Sequence, residues 1–191
     1  MTRPREFEQQ AVLDAAVDVF WEQGYESTSI ADLEVATGLS RSSLYQAFGS
    51  KHALYESCLD RYKTRNIDPA LAAMSAPGAG RAELVTYLTT LATVFRSDPS
   101  LAMRGCMIVN GVAERGAHDP EVRRAGLAYR QAIVDALANA LRGAARTESQ
   151  RADASNRAAL MSVTLIGALV TAHMDAEGAA RICQKLAADL P

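Results

Sequence analysis

At 191 residues the chain is long enough for one or two compact domains, and an apolar share of 49% with only 6% aromatics favours helices over sheets. A net charge of −2 gives no global pull towards nucleic acid, and residues 1–65 carry seven basic side chains against ten acidic ones, so the basic footprint common in nucleic-acid domains is missing. The cysteines Cys58, Cys106 and Cys183 are an odd, widely spaced set that argues against a disulfide framework; with no apolar run behind basic residues at the start, a secretion signal is not expected and the chain reads as cytoplasmic.

In chain order, Arg3 and Arg5 stand in a short tail that suits either a phosphate-touching arm or a solvated terminus. Phe7 to Gln23 has helical spacing, with Val12, Ala16, Val19 and Phe20 as its apolar stripe, Trp21 beside it and Gly24 at its end. Ser29 with Asp32 reads as a capping box opening a short helix of Ile30, Leu33, Val35 and Ala36. That helix stops at Gly38, because a residue without Cβ enters the left-handed conformation cheaply. Ser40 caps a second short helix, Arg41 to Phe48. Leu44 and Phe48 lie four apart and can pack back on the first helix, which turns Arg41, Ser42, Ser43, Tyr45 and Gln46 outward. From Val35 to Tyr55 there is no acid, while Arg41 and Lys51 are present.

Ser50 caps a longer helix, Lys51 to about Arg65, carrying Leu54, Cys58, Leu59 and Tyr62. Asn66 to Arg81, with Asp68-Pro69 and Ala76-Pro77-Gly78-Ala79-Gly80, is the most linker-like stretch. Ala82 to Arg96 is amphipathic through Leu84, Tyr87, Leu88, Leu91 and Phe95. Asp98-Pro99 and Asp119-Pro120 each open a further helix, the second running from Glu121 to Arg142. Thr147 to Arg157 is polar and marks a break or a fresh start. Ala158 to Met174 has no formal charge but contains Ser162, Thr164, Thr171 and His173, which suits a packing helix better than a membrane span. Ala176 to Leu190 is the last helix. Nothing reads as a strand, so the expectation is an all-α fold of about nine helices.

Helix, glycine turn, then a short helix presenting Arg, Ser, Tyr and Gln is the layout of a helix-turn-helix DNA reader. The ordered set Gly24-Tyr25, Thr28, Ile30, Asp32-Leu33, Ala36, Gly38, Ser40, Leu44-Tyr45, Phe48, Ser50-Lys51 and Ala53-Leu54 resembles the N-terminal domain of the TetR family of bacterial transcriptional regulators. The resemblance implies a DNA-binding domain over residues 1–50. It implies a ligand-binding and dimerisation domain over 51–191, joined through the helix at about 51–65. It further implies a homodimer, most often a repressor, that binds a palindromic operator in double-stranded DNA and is released by a small-molecule effector. Arg41, Ser42 and Ser43 stand at the end of the motif helix that meets base edges. Arg41 suits bidentate contact with guanine, worth about 1–3 kcal/mol of discrimination, and Gln46 suits adenine. Thr28, Tyr45 and Lys51 match family positions that contact phosphate.

For the effector, Met103, Met107, Asn110 and Glu114 share one face at helical spacing, with Cys106 beside them. The run resembles a Gly-Cys plus Asn pattern found in one branch of the family, where this helix lines the cavity. Tyr62, Tyr87, Phe95, Tyr129 and His173 are further candidates, against the competing reading of plain core packing. Cys106, near Arg104 in sequence, also suggests a thiol that reacts with electrophiles or oxidants and so releases DNA; an inert, buried cysteine is the alternative. Leu160, Val163, Ile166, Gly167 and Val170 approximate one face, and the resemblance implies that the last two helices form a four-helix bundle with those of a second subunit. His52, His118 and His173 are too scattered for a metal site, no cofactor motif is present, and no catalytic motif recommends an enzyme. The rival classes are a helical small-molecule enzyme or carrier with a purely structural helix-turn-helix, and a protein-interaction bundle.

Overall fold

The computed structural model describes residues 3–191, with side chains from Gln9 onward; Arg3 and Arg5 lie outside the described side chains. Every regular element among the described residues is helical, as the sequence pattern predicts. The α-helices are α1 (Arg3–Gln23), α2 (Ile30–Thr37), α3 (Arg41–Phe48), α4 (Lys51–Tyr62), α5 (Asp68–Ser75), α6 (Arg81–Ser97), α7 (Pro99–Arg104), α8 (Met107–Arg115), α9 (Pro120–Ala144), α10 (Glu148–Ala172) and α11 (Ala176–Ala188). A single π-helical turn, Lys63–Ile67, follows α4.

Local chemistry sets most of these boundaries. Ser29 and Asp32 form a reciprocal capping box, with Asp32 N–H donating to Ser29 Oγ at 3.1 Å and Ser29 N–H donating to Asp32 Oδ2 at 2.8 Å. Ser40, Ser50, Asp98, Thr147 and Asp175 each accept a backbone N–H of the following turn. Gly38 ends α2 at φ +70°, the left-handed conformation that the sequence requires there.

The chain divides into two compact units, one up to Asn66 together with Cys106–Gly126, the other Ile67–Gly105 together with Leu127–Pro191. In the first, α1 packs on α2 and α4, and α4 on α8. Phe20, Leu33, Leu44, Leu54, Tyr55 and Cys58 are buried there, and Trp21 meets Tyr62 edge-on at 5.0 Å. Arg61 forks onto Asp14 at 2.7 and 2.8 Å and ties α4 to α1. In the second unit α11 packs on α6 and α10 around Leu84, Leu88, Leu165 and Cys183, and Arg96 forks onto Glu177 at 2.7 and 2.8 Å.

Two stretches differ from the sequence pattern. The linker-like segment contains α5, with Pro69 in its first turn and Leu71 and Met74 buried. Only two large apolar side chains in eight residues carry that helix, too few to stand out beside the Pro and Gly that follow. Asn139 closes its end by donating through Nδ2 to the carbonyls of Met74 and Ala76, at 2.9 and 3.0 Å. The second difference is a break at Gly105, which separates α7 from α8. The polar stretch Thr147–Arg157 is a fresh start, since Thr147 caps α10 and the polar residues form its first turns. Among the described residues α10 alone has the length and apolar composition to cross a bilayer, yet Ala154, Ala158, Met161, Leu165, Ala168 and Ala172 are buried within its unit.

Candidate nucleic-acid interface

The α3 helix has eight residues and two unlike faces. Leu44 is buried and Phe48 half-buried, while Arg41, Ser42, Tyr45 and Gln46 are exposed and Ser43 is half-buried. The Arg41 guanidinium lies 5.6 Å from the centre of the Tyr45 ring, so cation and aromatic form one outward surface. Ser40 Oγ, besides capping the helix, lies 2.9 and 3.0 Å from the hydroxyls of Ser42 and Ser43. Ser43 and Gln46 also border a cleft of about 530 Å³ whose other wall includes Gln9 and Val12 of α1. These five α3 positions, named from the sequence, therefore share one surface.

Two other sequence candidates stand apart from it. Thr28 is only 1% exposed, and its hydroxyl donates to the carbonyl of Gly24 at 2.6 Å, so it closes the α1–α2 turn from inside. Lys51 is half-buried at the start of α4, with Nζ 4.3 Å from the centre of the Tyr25 ring. One residue that sequence reasoning missed belongs here. Glu34 of α2 accepts the backbone N–H of Arg41 through Oε1 at 2.6 Å, placing a carboxylate on the positive end of α3. Glu34 immediately precedes the acid-free stretch, and only the turn at Gly38 brings it back.

Met103 and Asn110 do not share a helix face. The chain leaves α7 at Gly105, with φ +59° and ψ −143°, and α8 begins anew after Cys106. A Cβ at Gly105 would lie 2.4 Å from His173 Nε2, so close packing and backbone conformation both exclude a side chain there. Met103 is consequently on α7 and 59% exposed, whereas Met107 is buried and Asn110 half-buried on α8. Cys106 is the buried N-cap of α8, and its side chain makes no capping hydrogen bond. Of the other ligand candidates, Tyr129 on α9 is buried, and Tyr87 on α6 and His173 after α10 are half-buried. Cys106, Met107 and Asn110 belong to the first unit; Met103, Tyr87, Tyr129 and His173 belong to the second.

On α10, Leu160, Val163, Gly167 and Val170 are exposed and Ile166 is half-buried. Met174, which the sequence pattern did not single out, extends this stripe at 81% exposure. Nothing lies within 4 Å of the Cβ position at Gly167, so that stretch of backbone is open to close approach. A cleft of about 350 Å³ beside it is lined by Thr164 of α10 and by Gly178, Arg181, Ile182, Lys185 and Leu186 of α11.

Residues 12–58 match the family of bacterial regulatory proteins of the tetR family. The chain is 35% identical over 124 residues to YezE of Bacillus subtilis, an uncharacterized HTH-type transcriptional regulator, covering 65% of this chain and 63% of that one. It is 37% identical over 109 residues to the HTH-type transcriptional repressor ComR of Escherichia coli, covering 56% of this chain and 51% of that one. The matched part is thus less than two thirds of either relative. The TetR family transcriptional regulator CifR, solved as a cysteine mutant with a 26-base-pair operator duplex, superposes with a TM-score of 0.78 at 27% identity, covering 99% of this chain and 100% of CifR. The helix-turn-helix segment of this chain is thus similar to the bacterial regulatory proteins of the tetR family, and its all-α fold is shared with the TetR family regulator CifR.

Proposed function

We propose that the chain is a transcriptional repressor that binds a palindromic operator as a homodimer and is released by a small-molecule effector. The face of α3 carries this reading: Arg41, Ser42, Tyr45 and Gln46 are exposed together on the second helix of a helix-turn-helix, the element that enters a major groove in such motifs. A scaffold helix has no need for such a surface. The operator duplex bound by CifR supports double-stranded DNA as the partner. In this reading residues 1–50 recognise DNA, with Tyr45 and Lys51 serving phosphate contact and the buried Thr28 holding the turn between α1 and α2, and 51–191 bind the effector and dimerise.

The exposed stripe of Leu160, Val163, Gly167 and Val170 is the dimer face, since an apolar row on a long helix is stable in water only when covered. Two readers related by a two-fold axis then meet half-sites spaced by roughly one helical turn or its multiples. The Gly105-Cys106 and Asn110 pattern supports α8 as the effector helix, with Cys106, Met107 and Asn110 as its contacts. An effector acts only by binding the DNA-incompetent arrangement better than the competent one, and the ratio of affinities sets the response.

The test is selection from a random duplex pool at moderate salt, with Tyr45→Ala alongside. Enrichment of a palindrome that the variant binds poorly is expected; no enrichment returns the chain to the enzyme or carrier class. A second reading rests on Cys106, the buried N-cap of α8, as a thiol that reacts with electrophiles or oxidants and so releases DNA. Unchanged release of Cys106→Ser from the selected duplex by hypochlorite ends that reading.

A further inference from the structure

We propose that Tyr25 is a positioning residue linking the end of α8 to Lys51, so that α8 sets how firmly the DNA reader holds phosphate. The proposal rests on the DNA-binding reading above. Its basis is a junction inside the first unit where four segments meet around one ring. The Glu114 carboxylate of α8 accepts two successive backbone N–H groups of the α1–α2 turn, from Tyr25 at 3.0 Å and from Glu26 at 2.8 Å. Gly24 permits this approach: its φ is +79°, and a Cβ there would lie 3.2 Å from the carboxylate.

Arg115, the next residue of α8, places its guanidinium 4.0 Å from the centre of the Tyr25 ring. The same guanidinium pairs with Glu26 and donates through Nε to Asp119 Oδ2 at 3.1 Å. Asp119 in turn caps α9, accepting the N–H groups of Glu121 and Val122, each at 3.1 Å. The turn, the end of α8 and the start of α9 are therefore tied together by charge-assisted hydrogen bonds. Lys51, first residue of α4, lies over the ring so held, at 4.3 Å.

A lysine ammonium on its flexible stem loses rotamer freedom when it meets a phosphate. Resting on a fixed aromatic face, it has lost part of that freedom already, and the phosphate contact is stronger for it. If α8 shifts, Glu114 and Arg115 release the turn and the ring, and Lys51 loses its support. Burial raises the Tyr25 phenol above its ordinary range, so the ring stays neutral and attractive to both cations.

A double-mutant cycle tests the link by fluorescence anisotropy on the duplex selected by the wild-type chain. Arg115→Met keeps the aliphatic stem and removes the cation; Lys51→Met removes the phosphate contact. We expect each single variant to weaken binding about fivefold to tenfold, and Arg115→Met to have almost no effect in the Lys51→Met background. A merely structural role for Arg115 weakens binding by the same factor in both backgrounds, and that result overturns the link. Should Arg115→Met unfold at the assay temperature, Glu114→Gln takes its place in the cycle: loss of its effect beside Lys51→Met supports the link, and an equal effect in both backgrounds overturns it. Selective wild-type binding with independent variants removes the link alone, whereas a wild-type chain that selects no duplex removes the DNA reading with it.

Discussion

The backbone N–H of Arg41 donates to Glu34 Oε1 at 2.6 Å, so the helix carrying the outward Arg, Tyr and Gln begins under a carboxylate from its neighbour. The carboxylate satisfies one of the N–H groups that every helix start leaves without a partner, and it is favoured there by the helix dipole. It also brings negative charge to the end of α3 that meets DNA in the proposed function. Glu34→Gln keeps an acceptor and removes the charge, and we expect it to tighten binding to the selected duplex by about twofold to fivefold. The gain should shrink as salt is raised, because the charge it removes acts through solvent. Glu34→Ala removes the acceptor too, and a thermal melt should show a loss of about 0.5–2 kcal/mol.

Asp14 and Arg61 give the first unit an acid-sensitive clasp. Hydrogen bonding from Arg61 holds the Asp14 carboxyl below its ordinary value, more than offsetting the upward push of burial, and Arg65 adds to the effect. A depressed carboxylate contributes stability above its unfolded pKa and loses it as pH falls through the folded one. The melting temperature should therefore drop as pH is lowered below about 4. Asp14→Asn should be less stable near neutrality and lose part of that acid dependence in the same series of melts.

Leu160 is 71% exposed and Val163 is 59% exposed, so charge at either leaves the packing of one chain intact. Leu160→Glu with Val163→Glu should convert a dimer to a folded monomer in sedimentation velocity, with helical circular dichroism unchanged. Affinity for the palindrome should fall by about a hundredfold or more, since half-sites are then held one at a time. A pair of substitutions that leaves the sedimentation coefficient unmoved rejects this face as the interface.

Glycines at positive φ differ in what surrounds them. Gly38, at φ +70°, has nothing within 4 Å of its Cβ position, so Gly38→Ala meets backbone strain alone and should cost about 1 kcal/mol. Gly105, at φ +59°, would drive a methyl group into His173 as well, so Gly105→Ala should cost about 2–4 kcal/mol. Urea melts of the two variants side by side read the difference, and truncation of the ring in Gly105→Ala/His173→Ala should restore part of the loss.

The all-α class, the short α2 and α3 with the turn between them, and the outward set Arg41, Ser42, Tyr45 and Gln46 were legible in the residues. Each rests on signals a few positions apart: an N-cap serine, a glycine forced left-handed, a leucine four residues from a phenylalanine. The break at Gly105, by contrast, is a decision of the fold. Met103 to Glu114 has unbroken helical spacing, and the packing of Gly105 against His173, distant in sequence, accompanies its division into α7 and α8. Thr28 reads as a surface hydroxyl until the turn folds it inward onto Gly24. The hydrogen bonds from Tyr25 and Glu26 to Glu114, and from Arg115 to Glu26, span 88 or 89 residues, and no periodicity encodes them. Local hydrogen bonding and side-chain period are written in neighbouring residues, so the sequence alone determined most of the helices and the outward face of α3. Which distant carboxylates and rings come to rest against one another depends on how helices pack, and only the tertiary structure decided it.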